Sequence, residues 1–155
     1  MIGAAAGAVL AAAVAAAAWR ARALTPSGAI AAFFVGTIVF GAGGWPAAAV
    51  LFAFFIPSTL LSRFGRERKK AAVEAKHGAR DGWQVLANGG VAALCVLLAL
   101  RGGMPFYAAF AGAFAAAAAD TWGTEIGTLS SAAPRSIVTL RRVAPGLSGG
   151  IVVDT

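Results

Sequence analysis

Apolar residues fill five runs along the chain, separated by polar or glycine-rich breaks. The runs cover residues 2–18, 29–42, 46–62, 84–100 and 105–119. None of them alternates apolar and polar positions, as the strands of a membrane barrel would. Because only helices and closed barrels satisfy all backbone polar groups in lipid, the pattern predicts an all-α, polytopic membrane protein.

Two of these runs are short for a membrane crossing. A helix that spans the hydrocarbon core needs about 20 residues, and runs 29–42 and 105–119 fall below that length. Flanking residues could extend them, or runs 29–42 and 46–62 could form a re-entrant pair that turns at residues 43–46. Both alternatives give about five transmembrane or re-entrant helices in a single membrane domain, residues 1–155. The four tryptophans lie near run ends, as interfacial anchors do: Trp19, Trp45, Trp83 and Trp122.

Composition and charge agree with a membrane location. Only 12% of the residues are charged, against about 25% in soluble domains. The net charge of +7 comes from residues between the apolar runs, so membrane topology explains it better than nucleic-acid binding does. With the N-terminus outside, twelve of the thirteen Lys and Arg residues fall in the cytoplasm, in loops 19–28 and 63–83 and after residue 119, and only Arg101 falls outside. We therefore expect a protein of the cell inner membrane whose active face is cytoplasmic.

The densest group of polar residues follows the fifth apolar run. Asp120 and Glu125 stand there with the hydroxyls of Thr121 and Thr124. Acidic residues at a bilayer are costly and usually mark a functional site, and magnesium takes one or two carboxylates together with substrate phosphates. Residues five apart on a regular helix point about 140° apart, so one ion could bind both carboxylates only if the helix breaks near Gly123. The alternative is that both are helix-end residues paired with nearby arginines.

The loop at 63–83 supplies candidate phosphate ligands. We favour Lys70 and Arg80 among its basic residues, because lysine provides a point charge and arginine a bidentate contact. The same charges would also fix topology and contact anionic headgroups.

Two further groups could contribute to a polar site. Gln84 and Asn88 are four residues apart and so share one helix face; they either bond to other helices or line a site. The glycine-rich stretch 145–150, which includes Ser148, could cradle an anion with its backbone N–H groups.

Taken in order, the polar stretches resemble a known family. The stretches are Leu24-Thr25-Pro26-Ser27-Gly28-Ala29, Gly82-Trp83-Gln84-Val85-Leu86-Ala87-Asn88-Gly89-Gly90, Ala119-Asp120-Thr121-Trp122-Gly123-Thr124-Glu125-Ile126-Gly127, Pro134-Arg135 and Pro145-Gly146-Leu147-Ser148-Gly149-Gly150. They look like those of the integral membrane family that contains the plant phytyl-phosphate kinase of tocopherol synthesis. That family is similar in turn to membrane polyprenol kinases that use CTP.

The resemblance implies transfer of a phosphoryl group from CTP, or another nucleotide, to an isoprenoid monophosphate such as phytyl phosphate. It implies that Asp120 and Glu125 hold Mg²⁺ and that the apolar helices hold the prenyl tail. Gln84 and Asn88 would orient the nucleotide or the acceptor. The remaining candidate ligands of substrate or nucleotide are Lys70, Arg80, Thr121, Thr124, Arg135, Arg141 and Ser148.

Members of that family usually continue into further hydrophobic helices beyond the glycine-rich stretch, whereas this chain stops at Thr155. We therefore expect the family's C-terminal helices to be missing, and a homo-oligomer could complete the site. A fragment without activity of its own is one alternative. Another is a small non-catalytic transporter or assembly protein, which ranks lower because the polar groups gather on one face rather than across the bilayer.

Overall fold

The computed structural model describes residues 3–64, 79–127, 129–130, 132–143 and 150–151. Four helices dominate it: α1 (Ala4–Arg20), α2 (Pro26–Arg63), α3 (Gly82–Gly102) and α4 (Met104–Gly127). Two short strands, β1 (Arg135–Ser136) and β2 (Gly150–Ile151), pair antiparallel, with Arg135 opposite Ile151. The predicted all-α fold class is confirmed.

Helix α2 contains the second and third apolar runs in one element, interrupted at Gly44. That residue has φ 64° and ψ −156°, which lies outside the helical region. A positive φ costs glycine little, and Pro46 disfavours helical backbone at the residue before it. The interruption falls inside the stretch 43–46, where the sequence predicts a turn.

Helix α1 ends in a Schellman motif. The Ala23 N–H donates to the Ala18 carbonyl at 2.9 Å, and the Arg22 N–H donates to the Trp19 carbonyl at 2.8 Å. Arg22 takes the left-handed position with φ 57°, where glycine is the usual residue. The chain therefore turns sharply before the start of α2.

Helix α4 continues beyond the apolar pattern. The pattern predicts an end near residue 119, but the helix runs on to Gly127 and includes the whole polar stretch after Ala119. Thr, Asp and Gly are weak helix formers, and tertiary contacts commonly override such preferences. In α4, the side-chain contacts of Trp122 and Glu125, described below, are the tertiary contacts that stabilise the added helical turns.

The chain divides into two compact units, Met1–Ile56 with Gly78–Ala117 and Pro57–His77 with Ala118–Thr155. In the first unit, α1 and α2 touch through small residues. A Cβ on Gly7 would lie 2.8 Å from the backbone nitrogen of Gly41, and one on Gly36 would lie 3.1 Å from the Ala11 Cβ. Such small-residue contacts let membrane helices approach backbone to backbone.

Helices α2 and α3 are long and apolar enough to cross a membrane, and α1 is a shorter apolar helix. Large side chains on α3 point outward: Val91 is 62% exposed and Leu94 is 57% exposed. In a soluble protein this apolar surface would be costly, whereas lipid tails solvate it well.

Candidate functional site

A backbone junction in the first unit fixes the position of Arg80. The Arg80 N–H donates to the Ala23 carbonyl and the Thr25 N–H donates to the Arg80 carbonyl, both at 3.0 Å. These bonds form a parallel bridge between Leu24 and Arg80. They hold the residue before α3 against the segment that leads into α2.

The Thr-Pro-Ser-Gly stretch builds this junction. The Thr25 hydroxyl caps α2 by accepting from the Gly28 N–H at 3.1 Å, and Pro26 takes the first helical position, where its missing N–H costs nothing. The Ser27 hydroxyl accepts from the Gly82 N–H at 3.3 Å. A Cβ on Gly28 would lie 2.1 Å from the Arg80 carbonyl oxygen, so the packing requires glycine there.

Helix α3 begins with a capping box. The Gln84 N–H donates to Asp81 Oδ1 at 2.9 Å, and the Asp81 N–H donates to Gln84 Oε1 at 3.1 Å. This reciprocal pair satisfies two backbone donors that the helix start would leave unpaired. The exposed Gln84 amide thus serves the start of the helix, while Asn88 one turn later has different surroundings.

Asn88 and Arg80 are the polar residues of a narrow apolar cavity in the first unit. The cavity itself has a volume of about 70 Å³, and the empty space together with its open mouth is about 640 Å³. All four helices contribute to the wall, and five of the lining residues are small: Ala15, Ala18, Ala32, Gly36 and Gly89. Gln84 is not part of the lining, so the structure separates the two amides that the sequence groups on one face.

The surface of the cavity is almost entirely apolar, although Arg80 and Asn88 are among its lining residues. Arg80 lies two residues before α3 and Asn88 lies in its second turn, whereas Phe40 and Leu51 belong to α2. From Ala32 to Phe40 the lining spans eight residues of α2, or about 12 Å of helix. An apolar cavity of this kind suits a hydrocarbon chain, and an arginine among its lining residues is a candidate partner for an anionic group at the end of that chain.

The second unit contains a polar cluster of different construction. Trp122 Nε1 donates to the Ser58 hydroxyl at 2.9 Å, and the Ser62 hydroxyl donates to Glu125 Oε1 at 2.5 Å. The two serines are four residues apart on α2, and Trp122 and Glu125 are three apart on α4, so each pair shares a helix face. Ser58 is completely buried and Glu125 is 9% exposed.

Ser62 helps to solvate the buried carboxylate. Its hydroxyl lies within reach of two acceptors, Glu125 Oε1 and the Ser58 carbonyl oxygen at 2.9 Å. A hydroxyl carries one proton, and a charged acceptor forms the stronger bond. Because burying a carboxylate without donors is costly, Ser62 is part of what allows Glu125 to lie inside the unit.

Sequence reasoning missed both serines because they fall at the end of an apolar run. The signal that could have found them is their spacing, since two hydroxyls four residues apart share one face of an otherwise apolar helix. Trp122 also differs from the expected interfacial anchor, because its indole N–H is bonded to Ser58. The other three tryptophans are at least half exposed: Trp19, Trp45 and Trp83.

The two acidic residues predicted to share a magnesium ion have different surroundings. Helix α4 is continuous through Gly127, so the break near Gly123 that a shared ion requires is absent. Asp120 is exposed and Glu125 is buried, as the separation of about 140° predicts. Within the described residues no group of three His, Cys, Asp or Glu side chains could hold a metal ion. The described geometry therefore does not fit a magnesium ion bound by both carboxylates.

The hydroxyls of the same stretch divide in the same way. Thr124, four residues after Asp120, is exposed like that residue, and Thr121, four residues before Glu125, is half-buried. Thr121 and Thr124 therefore differ in exposure. That both bind a ligand remains a prediction.

The remaining candidates lie toward the C-terminus or outside the described residues. Arg135 Nη1 donates to the Leu140 carbonyl at 3.0 Å, so this arginine holds a turn together. Arg141 is exposed. Lys70 and Ser148 lie outside the part of the chain that the structure describes.

Sequence comparison finds relatives in several organisms. Protein PGR of Arabidopsis thaliana is 35% identical over 156 residues, covering 86% of this chain and 52% of the relative. An uncharacterized membrane protein of Methanocaldococcus jannaschii is 34% identical, covering 86% of this chain and 56% of the relative. An uncharacterized membrane protein of Synechocystis is 30% identical, covering 84% and 53%.

The chain thus spans about half the length of these curated relatives. No solved structure matches it. The model of one protein family matches residues 9–154, nearly the whole chain. On this match, the chain belongs to the family described as integral membrane protein DUF92.

Proposed function

We propose that this chain binds an isoprenoid monophosphate and belongs to a membrane kinase that phosphorylates it at the expense of a nucleotide. The observation that carries the proposal is the apolar cavity with Arg80 and Asn88 beside the start of α3. A prenyl tail would occupy the slot between the helices. Its phosphate would meet the arginine, and Asn88 would donate a hydrogen bond from its amide.

The finer parts of the proposal rest on the resemblance of the polar stretches. They are CTP as the phosphoryl donor, phytyl phosphate as the acceptor and Mg²⁺ as the ion. Phosphoryl transfer depends on positioning and charge neutralisation more than on covalent chemistry by the protein. Mg²⁺ would supply charge neutralisation for the transferred phosphoryl group, and among the described residues of the second unit Glu125 is a buried carboxylate.

The proposal also gives the chain an orientation. The excess of Lys and Arg in the loops at 19–28 and 63–83 supports placing Arg80 on the cytoplasmic side of the inner membrane, where nucleotides are available. A homo-oligomer could supply the further groups that phosphoryl transfer needs.

A non-catalytic transporter or assembly protein stays the second candidate. A carrier would need polar lining groups along its whole path. In the described cavity, Arg80 and Asn88 both belong to the start of α3, and the lining contributed by α1, α2 and α4 is apolar or small. This arrangement favours holding an amphiphile at one membrane face over moving it across.

The test is binding and turnover by the chain in nanodiscs, using phytyl and geranylgeranyl phosphate with CTP or ATP, and Mg²⁺ or EDTA. The key variant is Arg80→Gln. Because hydrogen bonds to charged groups contribute about 1.5–3 kcal/mol, we expect lipid-phosphate binding to weaken roughly 10- to 100-fold.

The matched control is Arg101→Gln, which removes an exposed arginine from the last turn of α3. It should bind like the wild type. If the wild type and Arg80→Gln, both folded, bind the lipid phosphate with equal affinity, the cavity is not its binding site. Binding without turnover under any nucleotide would refute the kinase part and leave a lipid-phosphate-binding protein.

A further inference from the structure

A turn in the second unit displays three large aliphatic side chains. Ile137 is 59% exposed, Val138 is 90% exposed and Leu140 is 65% exposed. Isolated exposed apolar residues are ordinary, but three within four positions form a patch of the kind that marks a protein or membrane contact.

The backbone of this turn is closed by several hydrogen bonds. The Ser136 hydroxyl accepts from the N–H groups of Val138 and Thr139 at 3.3 and 3.2 Å. The Leu140 N–H donates to the Ser136 carbonyl at 2.8 Å, and the Ser136 N–H donates to the Arg141 carbonyl at 2.9 Å. These bonds hold Leu140 at φ 54°, a conformation that leucine rarely adopts. The outward display of the aliphatic residues is therefore set by the main chain.

Basic residues surround the aliphatic tip. Arg135, Arg141 and Arg142 are all exposed, and Arg135 forms a backbone bridge with Arg142 across the base of the turn. The sequence from 132 to 143 contains no acidic residue. An exposed apolar turn flanked by arginines complements the boundary between acyl chains and negatively charged headgroups.

We propose that this turn, residues 135–142, docks into the headgroup layer of an anionic membrane. Ile137, Val138 and Leu140 enter the acyl boundary, and the arginines bind lipid phosphates. The chain is a member of an integral membrane family, and Arg135 follows the end of α4 by eight residues. Eight residues reach at most about 28 Å.

This assignment gives Arg135 and Arg141 a different partner from the nucleotide expected from the sequence. A nucleotide site is normally concave, with polar groups that converge on the ligand. The turn is convex, and Arg135 donates one N–H to the Leu140 carbonyl oxygen. Anionic lipid is therefore the partner that this surface fits.

The test places an environment-sensitive dye on the turn. The full chain carries Val138→Cys in a background with Cys95→Ala, which removes the chain's one native cysteine, and is labelled with NBD in nanodiscs. The discs contain phosphatidylcholine alone or with phosphatidylglycerol, and spin-labelled lipid serves as the quencher. We expect blue-shifted, lipid-quenched emission with phosphatidylglycerol, decreasing as salt is added.

The arginines are tested by Arg141→Gln with Arg142→Gln, which leaves the backbone bonds and the Arg135 contact in place. Each arginine removed should reduce the docked-to-undocked ratio about fivefold, which corresponds to roughly 1 kcal/mol per basic residue near an anionic surface. The control dye position is Ala133→Cys, an exposed residue just before the turn. If the emission of the dye at position 138 is the same with and without phosphatidylglycerol, or changes on addition of CTP instead, the proposal is wrong.

Discussion

The two units use polar residues in opposite ways. In the first unit, four polar side chains accept hydrogen bonds from backbone N–H groups at the helix starts: Thr25, Ser27, Asp81 and Gln84. In the second unit, Trp122 and Glu125 bond to hydroxyls of Ser58 and Ser62 instead. The first arrangement builds a rigid frame around an apolar cavity, and the second keeps a carboxylate inside a helical protein.

The difference shows why a polar motif is a poor guide to chemistry by itself. The Thr-Pro-Ser-Gly stretch is structural in every position, while the neighbouring Arg80 lines the cavity. In the second unit, the exposed Asp120 and the buried Glu125 belong to one short motif but lie in different environments. A residue's role here follows from its face and its partner rather than from membership of a motif.

The strongest test of the frame is Gly28→Ala. The added Cβ would lie 2.1 Å from the Arg80 carbonyl oxygen, so the junction would have to open. We expect about 3 kcal/mol of destabilisation, at the upper end of the usual cost of overpacking, together with loss of lipid-phosphate binding. Unfolding of the purified protein in a mixed detergent titration measures the first effect.

Its control is Gly112→Ala in α4, where a Cβ meets nothing within 4 Å. That change should be neutral or stabilise the helix by up to about 1 kcal/mol. If both variants unfold alike, the close approach at Gly28 is not what holds the junction together.

Much of this frame was predictable from the sequence, and the reasons are local. Helix positions follow from apolar runs, and the interruption at Gly44 follows from a Gly-Gly-Trp-Pro stretch that disfavours helix. The end of α4 was not predictable, because tertiary partners extend it past residue 119. For the same reason the sequence could not show that Ser58 and Ser62 are the partners of Trp122 and Glu125. Those bonds join residues more than 60 positions apart.

For the candidate site, too, some residue roles were predictable from the sequence and others were not. Arg80 was predicted as a phosphate ligand from its charge, and Asn88 was paired with Gln84 by helix spacing; Arg80 and Asn88 both line the cavity. The sequence could not reveal that the Gln84 side chain caps α3 instead. The shared magnesium site required a helix break that Gly123 permits and that the structure does not have.

The cluster in the second unit is tested by Ser62→Ala. This change removes one donor from the buried Glu125 carboxylate, and a hydrogen bond to a charged group contributes about 1.5–3 kcal/mol. The control is Asp120→Asn, an exposed position where we expect a change within about 0.5 kcal/mol. Thermal unfolding in nanodiscs gives both values.

A double-mutant cycle with Glu125→Gln then isolates the pair. If Ser62 stabilises the protein through the carboxylate, the two changes together should cost less than the sum of the single changes. Additive effects would show that Ser62 acts through its other acceptor, the Ser58 carbonyl oxygen at 2.9 Å.

The smallest effects are expected for the two amide side chains of α3, one of which should affect stability and the other ligand binding. Gln84→Ala removes half of the capping box, so we expect a loss of about 0.5–1 kcal/mol in stability with lipid-phosphate affinity unchanged. Asn88→Ala removes a polar group from the cavity lining and should weaken lipid-phosphate binding about fivefold, since a neutral hydrogen bond contributes about 1 kcal/mol. Its effect on stability should be the smaller of the two. Calorimetric titration with phytyl phosphate, paired with unfolding of the same samples, measures both quantities. If Gln84→Ala weakens binding as much as Asn88→Ala does, the capping residues also contact the ligand, and the separation between frame and site in the first unit fails.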